Sequence, residues 1–185
     1  MTACIGVDPG FRWSAGVLRV GDAALNGFTS GPVAADGSPA RLANDKISPA
    51  ALDRYCAQIG KNLDSLYDLS IELGHGPPLV AVEMPYPSDR IPLRCWLVTW
   101  TVAWNVMGRY DDVIPITPAG HGKRHKAPGA TERLADYYPD SLIRSRPFGW
   151  MRCAAPRTAR DHERAGFDVA GVALASQLAL TGTEG

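Results

Sequence analysis

Two short apolar runs in this chain each end in one acid and a proline. The first, ACIGVD, carries Asp8 just ahead of Pro9-Gly10; the second, PLVAVEMP, carries Glu83 two residues ahead of Pro85. A carboxylate in an apolar strand loses hydration and needs a partner or a metal to offset the loss. Both acids stand at the C-terminal end of their strands, so a fold that pairs the two strands in parallel brings the acids to one edge of the sheet. That requirement narrows the architectures open to the chain more than any other feature.

The intervening and following segments supply the rest of the frame. SAGVLRV and AALNGFTSG follow the first run at short spacing, bounded by Gly, Asp and Ser, which predicts an antiparallel meander. A loop rich in Gly, Pro, Ala and Asp comes next. Ser48-Pro49 then opens a helix, with Leu52, Tyr55, Cys56, Ile59, Leu63 and Leu66 at helical spacing and Gly74, Gly76 and Pro77 closing it. After the Glu83 strand, a second helix runs from about Pro92 to Gly108. It is apolar nearly all round, with Trp96, Trp100 and Trp104 as a stripe at i, i+4, i+8, and a helix of that kind is expected to be covered on every side, either within the chain or by a second subunit. DVIPIT is a further strand, AGHGKRHKAPG a glycine-rich basic loop, GATERLADYY a short helix, and Pro139 to Arg160 an irregular arginine-rich stretch. Asp161 to about Leu180 is the final helix, with Val169, Ala170, Val172, Ala173, Leu174 and Leu178 as its buried side. The order predicts an α/β chain, antiparallel in its first half with parallel additions, its sheet covered by helices.

At 185 residues the chain accommodates one domain, 1–185, with a full core. No run of about 18 apolar residues suits a membrane span, and no basic-then-apolar N-terminus marks a secretory signal. Cys4, Cys56, Cys95 and Cys153 are widely spaced with no CxxC pair, which argues against zinc and a disulfide framework and for reduced thiols in a cytoplasm. Formal net charge is zero but unevenly spread. Residues 1–119 hold 9 Lys+Arg against 12 Asp+Glu, and 120–164 hold 10 against 5. The basic segment predicts a local anion-binding surface, or a solvated loop.

Asp8, Glu83 and an acid of the last helix form a candidate set. Asp161, Glu163 and Asp168 are available there, and Asp168 lies within the apolar half of the helix, in FDVAGVALA. With the first and fourth strands paired and the last helix laid across them, the acids converge, and clustered oxygen ligands suit Mg²⁺ or Mn²⁺. Each acid has a plainer alternative: Asp8 as a turn residue, Glu83 as an edge-strand acid, Asp161 as an N-cap, and Asp168 as a buried acid paired with an arginine.

IGVDPG, VAVEMP and the terminal DHERAGFDVAGVALA together resemble the RuvC-type Holliday junction resolvases of the ribonuclease H-like superfamily. The resemblance covers nearly the whole chain in element order and rests on three short islands. It implies a ribonuclease H-like mixed five-stranded sheet flanked by helices. It also implies a metal-dependent crossover junction endonuclease with two Mg²⁺ or Mn²⁺ ions, acting on four-way DNA junctions by paired symmetric nicks as a homodimer. Asp8, Glu83 and Asp168 map onto the family's ligands. Where the family carries an Asp or His three residues before the last Asp, this chain has Ala165, so Asp161 is the expected fourth ligand, with His162 its nearest rival and Glu163 close by.

Arg12, Arg90, Lys123, Arg124 and Lys126 are the expected DNA contacts, alongside Arg94 and His125, since Lys and Arg hold phosphates without reading sequence. Trp13 or Tyr86 could stack on an unpaired base or serve as a rim aromatic. Trp96, Trp100 and Trp104 are the expected dimer contacts. The competing possibilities are another ribonuclease H-like nuclease acting on flaps or RNA–DNA hybrids, and a non-catalytic nucleic-acid-binding module of the same fold; a sugar-kinase-like ATPase needs two such domains and a longer chain. The small size suits a bacteriophage or bacterial DNA-processing role.

Overall fold

The computed structural model describes residues 2–32, 48–86, 91–117 and the helix 157–181, with the side chains of that helix described over 162–177. Five strands form one sheet: β1 (Ala3–Asp8), β2 (Ser14–Val20), β3 (Ala23–Ser30), β4 (Leu79–Glu83) and β5 (Ile114–Ile116), in the order β3-β2-β1-β4-β5. β1 pairs antiparallel with β2 and β2 with β3, while β4 lies parallel to β1 and β5 parallel to β4. The expected meander with parallel additions is therefore the observed topology. Gly21 turns the β2–β3 hairpin with φ of 55°, a conformation that glycine adopts at no steric cost.

Strand alternation divides the sheet into two faces. Ala3, Ile5 and Val7 of β1, Leu18 and Val20 of β2, and Val80 and Val82 of β4 enter one core with α1 (Pro49–Glu72) and α2 (Leu93–Met107). Cys4 and Ala81 enter a second, smaller core beneath α3 (Arg157–Thr181), with Ile116, Val169, Ala170, Val172 and Ala173. Asp8 and Glu83 continue the Cys4 and Ala81 sides of their strands, so both belong to the α3 face.

Gly6 explains how closely α3 lies on that face. A methyl group at Gly6 would sit 2.0 Å from the Gly166 carbonyl oxygen and 2.4 Å from the Ala170 amide nitrogen. Only a strand without a side chain at this point lets the helix backbone rest on β1.

Two expectations about helices change. α3 begins at Arg157, so the last residues of the stretch read as irregular are helical and Asp161 lies inside the helix rather than at its cap. Arg157, Ala159 and Arg160 are good helix formers, which accounts for the earlier start. α2 is not covered all round: Cys95, Val98, Val102, Ala103 and Val106 are buried, whereas Leu93, Leu97 and Trp104 are exposed. Among the described residues, the sheet and α1 cover one side of it.

Candidate metal and nucleic-acid site

The site begins at the C-terminal edge of the central strands. In β1 and β4, Val7 pairs with Val82, and the next residues in that parallel register are Asp8 and Glu83. Asp8 also pairs with Ala15 of β2, and Ala15 with Thr29 of β3. One row across the sheet thus carries Thr29, Ala15, Asp8 and Glu83, all on the α3 face.

The first turns of α3 cross this row. His162 Nδ1 lies 2.7 Å from Asp8 Oδ2, with the Asp8 side chain 12 % and the imidazole 29 % exposed. An ionised carboxylate only accepts, so Nδ1 carries the proton in this contact. Glu163, fully buried, accepts a hydrogen bond from Thr29 Oγ1 at 2.5 Å. The helix is therefore pinned at both sides of the row, His162 over β1 and Glu163 over β3.

Asp168 belongs to the same helix. It lies six residues beyond His162, about 9 Å further along the helix axis, and is fully buried. Its charge acts on Arg19, whose backbone pairs with Cys4 at the other end of β1. Arg19 is itself buried among donors and acceptors. Nε donates to Gly21 O at 2.6 Å, Nη1 to Phe167 O at 3.0 Å and Nη2 to Asp22 Oδ1 at 3.1 Å, and the guanidinium stands 4.0 Å from the Phe167 ring centre. Burial lowers the guanidinium's proton affinity, and the charges of Asp22 and Asp168 oppose that shift. Asp168, expected as a ligand beside Asp8 and Glu83, is thus a buried acid of α3 whose charge acts on Arg19. Cys4, next to Arg19, has its thiol pushed up to about 12 by burial and is a packing residue.

The turn after Asp8 is held by a group of residues that sequence reading treated as core or left unremarked. Tyr55 of α1, fully buried, donates through its hydroxyl toward Gly10 O at 3.0 Å and Ser30 O at 3.3 Å, and lies 2.7 Å from Ser14 Oγ. Ser14 Oγ accepts from Gly10 N at 3.0 Å, and Ser30 Oγ accepts from Asn62 Nδ2 at 2.8 Å. The available signal was a tyrosine at an apolar helix position, whose hydroxyl needs a partner when buried.

At the rim, Arg12 is exposed with its guanidinium 5.3 Å from the Phe11 ring centre, and Tyr86 is exposed. Arg90, Lys123, Arg124, His125 and Lys126 lie outside the described residues, as does the expected helix in GATERLADYY, and the side chain of Asp161 lies outside them too. Trp96, Trp100 and Trp104 form a ladder along α2 with ring centres 5.7 and 6.4 Å apart.

The donor chemistry of Asp8, Glu83 and His162, two carboxylates and an imidazole at one strand edge, fits a divalent cation of the Mg²⁺ or Mn²⁺ kind. Among the described residues no group of three or more His, Cys, Asp or Glu side chains is already gathered tightly enough to hold one. Asp8 is instead satisfied by His162.

In comparison with solved structures, the chain is similar to Thermus thermophilus RuvC in complex with a Holliday junction substrate, with a TM-score of 0.52, 16 % identity and 98 % of each chain covered. A second Thermus thermophilus RuvC structure gives a TM-score of 0.48 at 18 % identity, again over 98 % of each chain. No protein-family model and no curated protein sequence matches the chain. The likeness to the first of these structures shows the fold alone: a mixed five-stranded sheet in the order β3-β2-β1-β4-β5, covered by helices.

Proposed function

We propose that the protein is a divalent-metal-dependent, structure-selective endonuclease of branched DNA, cutting four-way junctions by paired nicks. The observation that carries this is the placement of Asp8 and Glu83 at adjacent strand ends on one face, with His162 of α3 in contact with Asp8. The neighbour of the same fold is described as bound to a Holliday junction substrate.

In this reading Asp8, Glu83 and His162 hold Mg²⁺ or Mn²⁺, two ions per site, and Asp161 is the candidate for a further ligand. Bound ions of this kind supply an activated water and stabilise the attacking and leaving oxygens of a phosphodiester. The chain's own residues position the strand. Arg12 at the rim, with Arg90, Lys123, Arg124 and Lys126, binds backbone phosphates. Asp8, at the centre of the row, orients what binds beside Glu83. Two symmetric cuts require two sites, and a homodimer packed through the Trp96–Trp104 side of α2 provides them.

The test compares the protein with Asp8→Asn on a labelled four-way junction, a linear duplex, a flap and an RNA–DNA hybrid, with Mg²⁺, Mn²⁺ or EDTA. Paired symmetric nicks in the junction are expected. They should be lost with EDTA and lowered at least about 10³-fold by Asp8→Asn, while junction binding stays within a few-fold. Metal-dependent cutting of flaps or hybrids alone overturns the substrate and keeps the site. A second reading is a binding module without catalysis, in which His162 is a structural partner of Asp8 and not a fellow ligand. Tight junction binding with no cleavage in any metal establishes it.

A further inference from the structure

The end of β1 is held from both faces of the sheet. On the α3 side is His162: a methyl group at Gly10 would lie 3.1 Å from its Cε1. On the other side is Tyr55, which reaches the same residue through its hydroxyl at Gly10 O, 3.0 Å away. Ser14 closes the arrangement, accepting from Gly10 N at 3.0 Å and meeting the Tyr55 hydroxyl at 2.7 Å. A side chain at Gly10 would also strike Trp13 O at 2.2 Å. Both polar backbone groups of Gly10 are thus tied to α1 and β2, and Gly10 lies two residues from Asp8.

A backbone turn of Pro-Gly composition has several conformations open to it in solution. A buried hydroxyl bonded to its carbonyl leaves it one. The Tyr55 hydroxyl also reaches Ser30 O at 3.3 Å, tying the end of β3 to the same point, while its ring lies within the α1 core. We propose that Tyr55, through Ser14 and Gly10, is a positioning residue that fixes the β1 turn so that the Asp8 carboxylate and the His162 imidazole are presented together to a divalent cation. The cation part rests on the nuclease reading above; the geometric part does not.

Three variants separate this from a general packing role. Tyr55→Phe removes only the hydroxyl. Ser14→Ala removes its partner and serves if Tyr55→Phe does not fold. Ser70→Ala is the control: Ser70, also buried on α1, donates to Gly76 O at 2.8 Å at the far end of that helix, so it deletes a comparable hydrogen bond remote from Asp8. The first readout is the nuclear Overhauser contact between Gly10 Hα and His162 Hε1 in the metal-free protein. The second is Mn²⁺ affinity by titration calorimetry, with Asp8→Asn as the reference for loss of the site.

Tyr55→Phe or Ser14→Ala is expected to lose the Gly10–His162 contact and to weaken Mn²⁺ binding about tenfold, as loss of an outer-shell partner does. Ser70→Ala should leave both at the parent value despite a similar drop in Tm. Retention of the contact and of Mn²⁺ affinity in Tyr55→Phe overturns the proposal. So does an equal loss of both in Ser70→Ala, or absence of the contact in the parent protein. If Mn²⁺ affinity is the same in the parent and in Asp8→Asn, the metal reading fails and the contact alone decides the role of Tyr55.

Discussion

At the scale of single residues, burial and partnership separate acids that look alike in a sequence. Asp8 and Asp168 both interrupt apolar segments, yet Asp8 meets an imidazole at the sheet edge and Asp168 lies in the interior near a guanidinium. The two are expected to behave differently when neutralised. Asp168→Asn removes one of the two charges that offset the burial of Arg19, with Asp22 left as the other, and should cost about 1–3 kcal/mol of stability, read by chemical denaturation, while Mn²⁺ affinity stays within a few-fold of the parent. A large loss of Mn²⁺ affinity with unchanged stability would return Asp168 to the ligand set. A pattern of apolar positions shows that an acid is buried; it does not show which charge is nearby, because the charge comes from another strand.

Between elements, two contacts set how helices sit on the sheet. The first is the close approach of α3 to β1 at Gly6 and Gly166. Gly6→Ala puts a methyl group 2.0 Å from a carbonyl oxygen, so the helix must move. Overpacking of this kind costs about 1–3 kcal/mol or more. The same shift lifts His162 from Asp8, so Tm and Mn²⁺ affinity should fall together. A parent-like Tm in Gly6→Ala would show that the helix is not held by this contact.

The second contact joins α1 to the end of α2. Arg109 Nε donates to Asp64 Oδ1 at 2.9 Å with a further bond to Oδ2, the Tyr110 hydroxyl donates to Asp64 Oδ1 at 2.8 Å, and Tyr110 stacks on Tyr67 at 5.6 Å. The Arg109 hydrogen bond holds the Asp64 carboxyl below its usual range against the opposing effect of burial, and the Tyr110 hydrogen bond and the Arg109 charge add smaller effects in the same direction as the first. A depressed folded-state value stabilises above the unfolded value of about 3.9, and the contribution is lost as pH falls through the folded value. The group is well exposed, so the contribution is at most about 1 kcal/mol. Asp64→Asn should therefore be less stable than the parent at neutral pH, and the difference should shrink below about pH 3.9. A difference that grows in acid would show the sign to be wrong.

For the whole molecule, the open question is what α2 faces. Its exposed residues, Leu93, Leu97 and Trp104, lie beside the tryptophan ladder, and Trp104 is 67 % exposed. Under the proposed function, an exposed apolar strip of this kind is where the second copy packs. The nuclease reading requires two copies, so the protein should sediment at twice the chain mass at micromolar concentration. Trp104→Glu should sediment as a single chain with its fold intact by circular dichroism. A parent protein that stays single at high concentration would remove the dimer, and with it the route to paired cuts.

Periodicity and punctuation in the sequence determined the elements of this protein. Alternation and turn residues marked the three-strand meander, Ser48-Pro49 opened α1, and an acid ahead of a proline ended each central strand. These signals are local, arising from backbone preference and from the burial of neighbouring residues. Paired in parallel, β1 and β4 carry Asp8 and Glu83 to one edge, as their matching positions implied. Tertiary structure alone decided which residue of α3 meets Asp8, because rotation and height of that helix depend on a glycine in β1 and on Thr29 in β3, far away in sequence. It also decided that Arg19 lies near Asp168 and that Tyr55 holds the turn at Gly10. Contacts across 45 to 154 residues leave no periodic trace, since each is fixed by packing in three dimensions and not by the residues beside it in the chain.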